Sequence, residues 1–195
     1  SVEDVPDYKQ FWGGDFGYDC YSGCTPTAAL NILMYWEHQG LAGLVPHNYY
    51  MNAVNEIRTY LHAYCGEEPV GDEQGLVDEE DVTPGLRNYA SAHGYSLDVA
   101  CVTYGYEADA PGECTREGDK ASLFSAYTDE INADRPVLVS YKDPTDKTGH
   151  SVTGIDYQLD GGYFTVYDNK PSVPAGRRVN VAYDAWPQLQ LDMVN

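Results

Sequence analysis

Cys24 lies in the stretch SGCTPTAALNILMYW, directly ahead of a run with helical periodicity. A cysteine in that place is a nucleophile, half of a disulfide or core filler. It acts as a nucleophile only as thiolate, and the two usual means of lowering its pKa are the positive end of a helix and a neighbouring imidazolium. The helix start supplies the first. For the second there are five histidines, His38, His47, His62, His93 and His150. His38 falls at the far end of the same helix, and His62 and His93 fall near the ends of other helices, where a cation is an ordinary dipole partner. His150 opens the stretch HSVTGIDYQLDGGYFTVYDN, which reads as strand, Gly-rich turn and return strand, closing on Asp168 and Asn169. A base and an orienting group thus stand at one end of one hairpin, the arrangement a thiol nucleophile needs for acyl transfer. If the turn is the three-residue Leu159-Asp160-Gly161 with Gly161 left-handed, Gln158 faces Gly162 and Asp168 falls opposite Val152. A two-residue Asp160-Gly161 turn moves the register one step and puts Asn169 there instead.

The positioning elements follow from periodicity. From Thr25, the residues Ala28, Ala29, Ile32, Leu33 and Trp36 recur at three- and four-residue steps and predict a helix with one buried stripe. Pro26 is tolerated in its first turn, and Gly40 and Gly43 are stop signals. A second helix is predicted over residues 48–64 with Met51, Val54, Ile57, Leu61 and Tyr64 inward, a third over 83–93 and a fourth over 121–133. The acidic stretch GEEPVGDEQGLVDEED lacks the alternating ligands and central glycine of an EF-hand loop, so it reads as solvated, and no metal is expected. After Pro136 the period becomes two: PVLVSY, HSVTGIDY, YFTVYD and RRVNVAY read as antiparallel strands. Helices first and strands last predict an α+β fold, with residues 1–19 an irregular lead-in.

The chain has 195 residues and a net charge of −20, from 31 acidic against 11 basic residues. That length suits one domain, and that field repels nucleic acid and anionic membrane surfaces while attracting basic peptides. No run approaches the roughly 18 apolar residues of a membrane span, and SVEDVPDYKQ lacks the basic and apolar regions of a signal peptide, so the chain reads as mature or trimmed from a longer precursor. Cysteines number five, an odd set. Cys101 and Cys114 bracket the Gly-, Pro- and acid-containing VTYGYEADAPGE, which reads as an excursion between two elements; a clip there would leave Cys20 for Cys65 and Cys24 reduced. The rival assignment is five reduced thiols in a cytosolic protein.

Taken together, Gly23-Cys24-Thr25-Pro26-Thr27-Ala28 running on to Tyr35-Trp36, Gly149-His150-Ser151-Val152 and Val166-Tyr167-Asp168 resemble papain-like cysteine peptidases of the bacteriocin-processing (double-glycine) type and their secreted bacterial relatives. Streptopain-like peptidases share the Gly-Cys and Thr-Ala pattern. The resemblance spans most of residues 20–170 and implies a papain-like fold over residues 1–195, with the Cys24 helix packed on a C-terminal antiparallel sheet. It implies a Cys24, His150, Asp168 triad that hydrolyses peptide or isopeptide bonds through a thioester, without cofactor or metal, in a secreted or extracellular protein; the oligomeric state is left open, with a monomer favoured. Asp168 is favoured over the alternative orienting residue Asn169 because the family's matching position carries the acid, and because a carboxylate stabilises the imidazolium that an amide only orients. The family's oxyanion hole pairs the cysteine's own N–H with a glutamine six residues earlier, where this chain has Tyr18; the Tyr18 or Tyr21 hydroxyl or lead-in backbone N–H groups are the substitutes. Loss of that glutamine also suits a papain-like binding or adhesion module without turnover, and the same triad serves amine acyl transfer of the transglutaminase type.

Overall fold

The structure, a computed structural model, describes residues 1–66, 74–106, 113–143 and 148–195. Helix α1 (Cys24–His38) starts where the sequence predicts. Its N-cap, Gly23, has φ 94°, and a Cβ there would stand 2.9 Å from the Gly75 carbonyl oxygen, so only glycine fits this entry. The expected single stripe is exceeded: Thr25, Thr27, Leu30 and Asn31 are buried along with Ala28, Ala29, Ile32 and Leu33. The helix is enclosed by α2 (Tyr50–Tyr60), by the sheet and by the lead-in. Its buried amide is paired: Asn31 Oδ1 accepts from the Tyr8 N–H at 2.9 Å and Nδ2 donates to Thr153 Oγ1 at 3.1 Å.

Helix α2 ends before the predicted boundary, and Tyr64 belongs instead to a short strand β1 (Tyr64–Cys65) paired antiparallel with β2 (Gly75–Leu76). Helix α3 (Glu79–Ala92) begins four residues earlier than predicted, because Glu79, Glu80 and Asp81 complement the positive helix start and Pro84 is accommodated within it. Helix α4 (Lys120–Asn132) is capped by Asp119, whose carboxylate accepts from the Ser122 N–H at 2.8 Å.

The main sheet has seven strands: β3 (Val99–Tyr104), β4 (Thr115–Arg116), β5 (Val137–Asp143), β6 (Thr148–Gln158), β7 (Tyr163–Tyr167), β8 (Arg178–Ala182) and β9 (Gln188–Val194). Their order is β4-β3-β9-β5-β6-β7-β8, antiparallel except for the β3–β4 pair. The predicted strands are β5 to β8. Strands β3 and β9 lie outside that prediction, and β9 sits between β3 and β5. One face buries Leu138 with Val99 and Val194 against α1, α2 and α3; the other buries Val137, Val139, Val152, Leu189 and Leu191 against Leu123, Tyr127 and Ile131 of α4. The fold is α+β, as the sequence predicts.

Disulfides join Cys20 to Cys65 and Cys101 to Cys114, leaving Cys24 as a free thiol. The predicted excursion after Cys101 begins later than expected, since β3 continues to Tyr104; residues 107–112 lie outside the described residues, as do 67–73 of the acidic stretch.

The β6–β7 hairpin departs from the expected register near its turn. Gln158 pairs with Tyr163, around a four-residue turn with Gly161 at φ 86° and Gly162 at φ 61°. A bulge between Gly154 and Asp156 then takes up one residue on β6, so Gly154 pairs with Val166 and Thr153 with Tyr167. Beyond the bulge the strands are in the register that sets Asp168 beside the Val152 end of β6.

Candidate active site

Three chain segments converge at the N-terminus of α1. Cys24 is its first residue and is partly exposed. His150 lies on β6 opposite Tyr141 of β5, and Asp168 directly follows β7. His150 Nε2 is 2.8 Å from Asp168 Oδ1, with the two side chains 9% and 13% exposed, and the same carboxylate oxygen accepts from the Lys170 N–H at 3.1 Å. The Tyr141 ring stands edge-on to the imidazole at 5.9 Å, and Trp186 packs on Tyr141 at 4.4 Å.

The electrostatics follow from this enclosure. Burial pushes the Cys24 thiol up, but hydrogen bonding and charge from His150, the Ser151 backbone N–H and the Thr25 hydroxyl outweigh it and bring the pKa down to about 7. Burial alone would lower the His150 pKa; Asp168 and Cys24 reverse that and raise it to about 9. Asp168 is desolvated, which raises its pKa, yet the bond from His150 and the Lys170 N–H hold it below the usual carboxylate range. The thiol's pKa is thus drawn down and the imidazolium's up, which favours the thiolate–imidazolium form of the pair.

Asn169 does not reach His150. Fully buried, it donates from Nδ2 to the Cys24 carbonyl at 2.7 Å and to the Ser151 carbonyl at 3.1 Å, and its Oδ1 accepts from Gln10 Nε2 at 2.9 Å. The Gln10 backbone N–H also donates to the Asn169 carbonyl at 2.9 Å. Gln10, far from Cys24 in sequence, thus anchors the lead-in beneath the site, a role that no local pattern announces.

Tyr18 behaves differently from the expectation. Its hydroxyl is buried without a hydrogen-bond partner, and its ring lies over Gly13 with the Arg58 guanidinium 4.0 Å above the ring centroid. Burial raises the Tyr18 pKa and Arg58 lowers it. A phenol closed off in this way is not open to a substrate carbonyl, which corrects its assignment as an oxyanion donor. Arg58, itself buried on α2, donates to the Ser22 carbonyl at 2.7 Å and so braces the peptide that enters Cys24. Tyr21 packs edge-on against the exposed Trp12 at 5.5 Å.

The remaining histidines are engaged elsewhere or remote: His47 and His93 flank Glu56 at 2.8 and 3.2 Å, His62 pairs with Asp81 at 3.1 Å, and His38 closes α1. Among the described residues no group of His, Cys, Asp and Glu side chains could hold a metal ion.

No curated protein matches the chain. Among solved structures, it is similar to a mutant fragment of prointerpain A from Prevotella intermedia, with a TM-score of 0.58 and 13% identity, covering 100% of this chain and 71% of that one. The model of the Peptidase_C39-like family matches residues 2–190, from the lead-in that carries Gln10 to strand β9, and the chain belongs to that family.

Proposed function

We propose that this protein is a cysteine peptidase that hydrolyses peptide or isopeptide bonds through Cys24, His150 and Asp168. One observation carries the reading: at the start of α1 the Cys24 thiol and the His150 imidazole act on one another while His150 Nε2 lies 2.8 Å from Asp168 Oδ1, an arrangement that draws the thiol's pKa down and the imidazole's up, so nucleophile and general acid are ready together. The Cys24 thiolate attacks the carbonyl carbon, the His150 imidazolium gives its proton to the leaving amine, and Asp168 holds the ring in position. Water, deprotonated by the now neutral His150, then releases the acid from the thioester. The oxyanion faces the start of α1, where first-turn N–H groups, that of Cys24 foremost, have no intrahelical acceptor. Residues 1–195 act as one domain, and the net charge of −20 favours basic peptide substrates. The two disulfides support an oxidising, extracellular setting for the working protein.

The test compares the unmodified chain with Cys24→Ala on unstructured peptides rich in Lys and Arg, reading cleavage by mass spectrometry with and without an added primary amine. Cleavage lost in the variant, with a melting temperature within about 2 °C, is the expected result, since a partly exposed thiol at a helix start carries little packing. Cleavage that survives Cys24→Ala overturns the proposal, and amine adducts in place of acids assign the acyl group to an amine acceptor.

A further inference from the structure

The face of the sheet under α1 is apolar at Leu138 and at Val99, yet three hydroxyls converge on it directly behind the nucleophile. Ser140 of β5 and Ser151 of β6 are direct partners in the strand register, and their Oγ atoms lie 2.8 Å apart. Ser151 Oγ is 2.9 Å from Thr25 Oγ1, and Thr25 Oγ1 is 4.0 Å from Cys24 Sγ. Thr25 and Ser151 are buried, where an unpaired hydroxyl costs stability and apolar residues of like size would pack at no such cost. The Ser151 backbone N–H also acts on the same sulfur.

We propose that Ser140, Ser151 and Thr25 form a directional chain of hydroxyls that ends on the Cys24 sulfur and favours its anionic form. It rests on the reading of Cys24 as the nucleophile. Each hydroxyl has one proton to give. If Thr25 gives its proton to the sulfur, its oxygen is free to accept from Ser151, and Ser151 from Ser140, so every donor faces the thiolate in turn. When the sulfur is protonated it no longer needs a donor, and the chain loses its terminal acceptor. The difference between the two states is what lowers the thiol's pKa. The Thr25 contact is long, as hydrogen bonds in substrate-free sites commonly are, and it shortens as negative charge settles on the sulfur. The same donors assist the second half-reaction, in which the sulfur leaves the thioester as an anion.

Other charged and titratable groups bear on Cys24 from each packed element: His150 from β6, Asp168 behind it after β7, and the Tyr141 phenol from β5, which stays neutral because burial, with Asp168 and Cys24, raises its pKa. The hydroxyl chain differs from these in carrying no charge. Thr25 touches the reacting sulfur; Ser140 and Ser151 act through it as positioning residues.

The experiment is the iodoacetamide alkylation rate of Cys24 against pH, by mass spectrometry, in the full chain and in Thr25→Val, Thr25→Ser and Ser140→Ala. Thr25→Val keeps the shape and removes the hydroxyl. It is expected to move the midpoint up by about one unit, a loss of roughly three- to tenfold in rate at pH 7, in keeping with a hydrogen bond to a charged group. Thr25→Ser restores the midpoint, and Ser140→Ala moves it in the same direction by less. An unchanged midpoint in Thr25→Val, or equal shifts in Val and Ser variants, overturns the chain. If Thr25→Val fails to fold, a Ser140→Ala midpoint equal to that of the unmodified chain does so. Alkylation reads the thiol whether or not peptides are cut, so loss of the catalytic reading, seen as cleavage that persists in Cys24→Ala, is a separate result.

Discussion

Asn169 donates to the backbone carbonyl of Cys24 at 2.7 Å, while its neighbour Asp168 turns the other way to the His150 ring at 2.8 Å. Two adjacent residues after β7 thus divide the work, Asn169 holding the Cys24 helix to the strand that carries His150 and Asp168 holding the His150 ring. Their substitution is expected to separate stability from turnover. Asn169→Ala leaves the Gln10 amide without its acceptor and takes a donor away from two carbonyls in a dry place, and is expected to cost about 2–3 kcal/mol, read by chemical denaturation. Asp168→Ala is expected to lower kcat by about a hundredfold or more with a smaller change in stability, because the ring loses its orienting partner. A larger stability loss in Asp168→Ala than in Asn169→Ala would contradict this division.

The pH profile follows from the same pair. With Cys24 and His150 acting as proposed, attack fails below about 7, where the thiol keeps its proton, and amine release fails above about 9, where His150 has lost its own. Plotted against pH, kcat/KM is therefore expected to be bell-shaped, with its plateau between those values, which belong to the coupled pair. Asp168→Asn removes the carboxylate that raises the imidazole pKa, so the alkaline limb is expected to move to lower pH. Movement of that limb to higher pH would show that Asp168 does not stabilise the imidazolium.

How far the sequence carries this site is seen in the hairpin. The pairing of His150 with an acid at the close of the return strand is legible because strand periodicity and turn residues are local signals. The detail of the turn is not: the loop has four residues, and the bulge between Gly154 and Asp156 brings Asp168 into reach. A bulge depends on how β6 bends over α4, where the Tyr127 ring occupies the space a side chain at Gly154 would need. Gln10 pairs with a residue 159 positions away, and such a contact leaves no periodic mark. In β9 the alternation of Leu189, Leu191 and Met193 is present, but the intervening Gln190 and Asp192 are buried rather than solvated, against the usual sense of that pattern. The seven-stranded sheet was accordingly legible only along its β5-to-β8 half.

The two disulfides are expected to differ in worth. They close sequence separations of 45 and 13 residues, for which loop-closure entropy gives about 4 and about 3 kcal/mol. Replacing Cys20 and Cys65 together by Ser is expected to cost more stability than replacing Cys101 and Cys114. It should also lower kcat, since Cys20 lies in the same segment that Arg58 braces ahead of Cys24. Unchanged turnover in the first double variant would mean that the Arg58 contacts hold the entry to α1 alone.

A last consequence concerns Asp192, a fully buried carboxyl on β9 under α3. Burial raises its pKa to about 6, against the Thr83 hydroxyl at 2.6 Å and the Gln190 amide at 2.9 Å, which pull it down. Its folded pKa lies above the unfolded value of about 3.9, so between those values the folded chain holds a proton that the unfolded chain has released. Stability from this group is therefore full at low pH and is lost as pH rises through about 6, the reverse of the Asp168 contribution, which is present at neutral pH and lost on acidification. Gln190 Oε1 is buried without a partner, so turning that amide would let it accept from a protonated carboxyl or from an amide at position 192. Asp192→Asn is expected to stabilise the protein at pH 7 by about 1–3 kcal/mol and to flatten the change in stability between about pH 4 and 6, measured by urea unfolding across that range. A loss of stability at pH 7 in this variant would mean that the ionised carboxylate, and not the neutral form, is what β9 is built around.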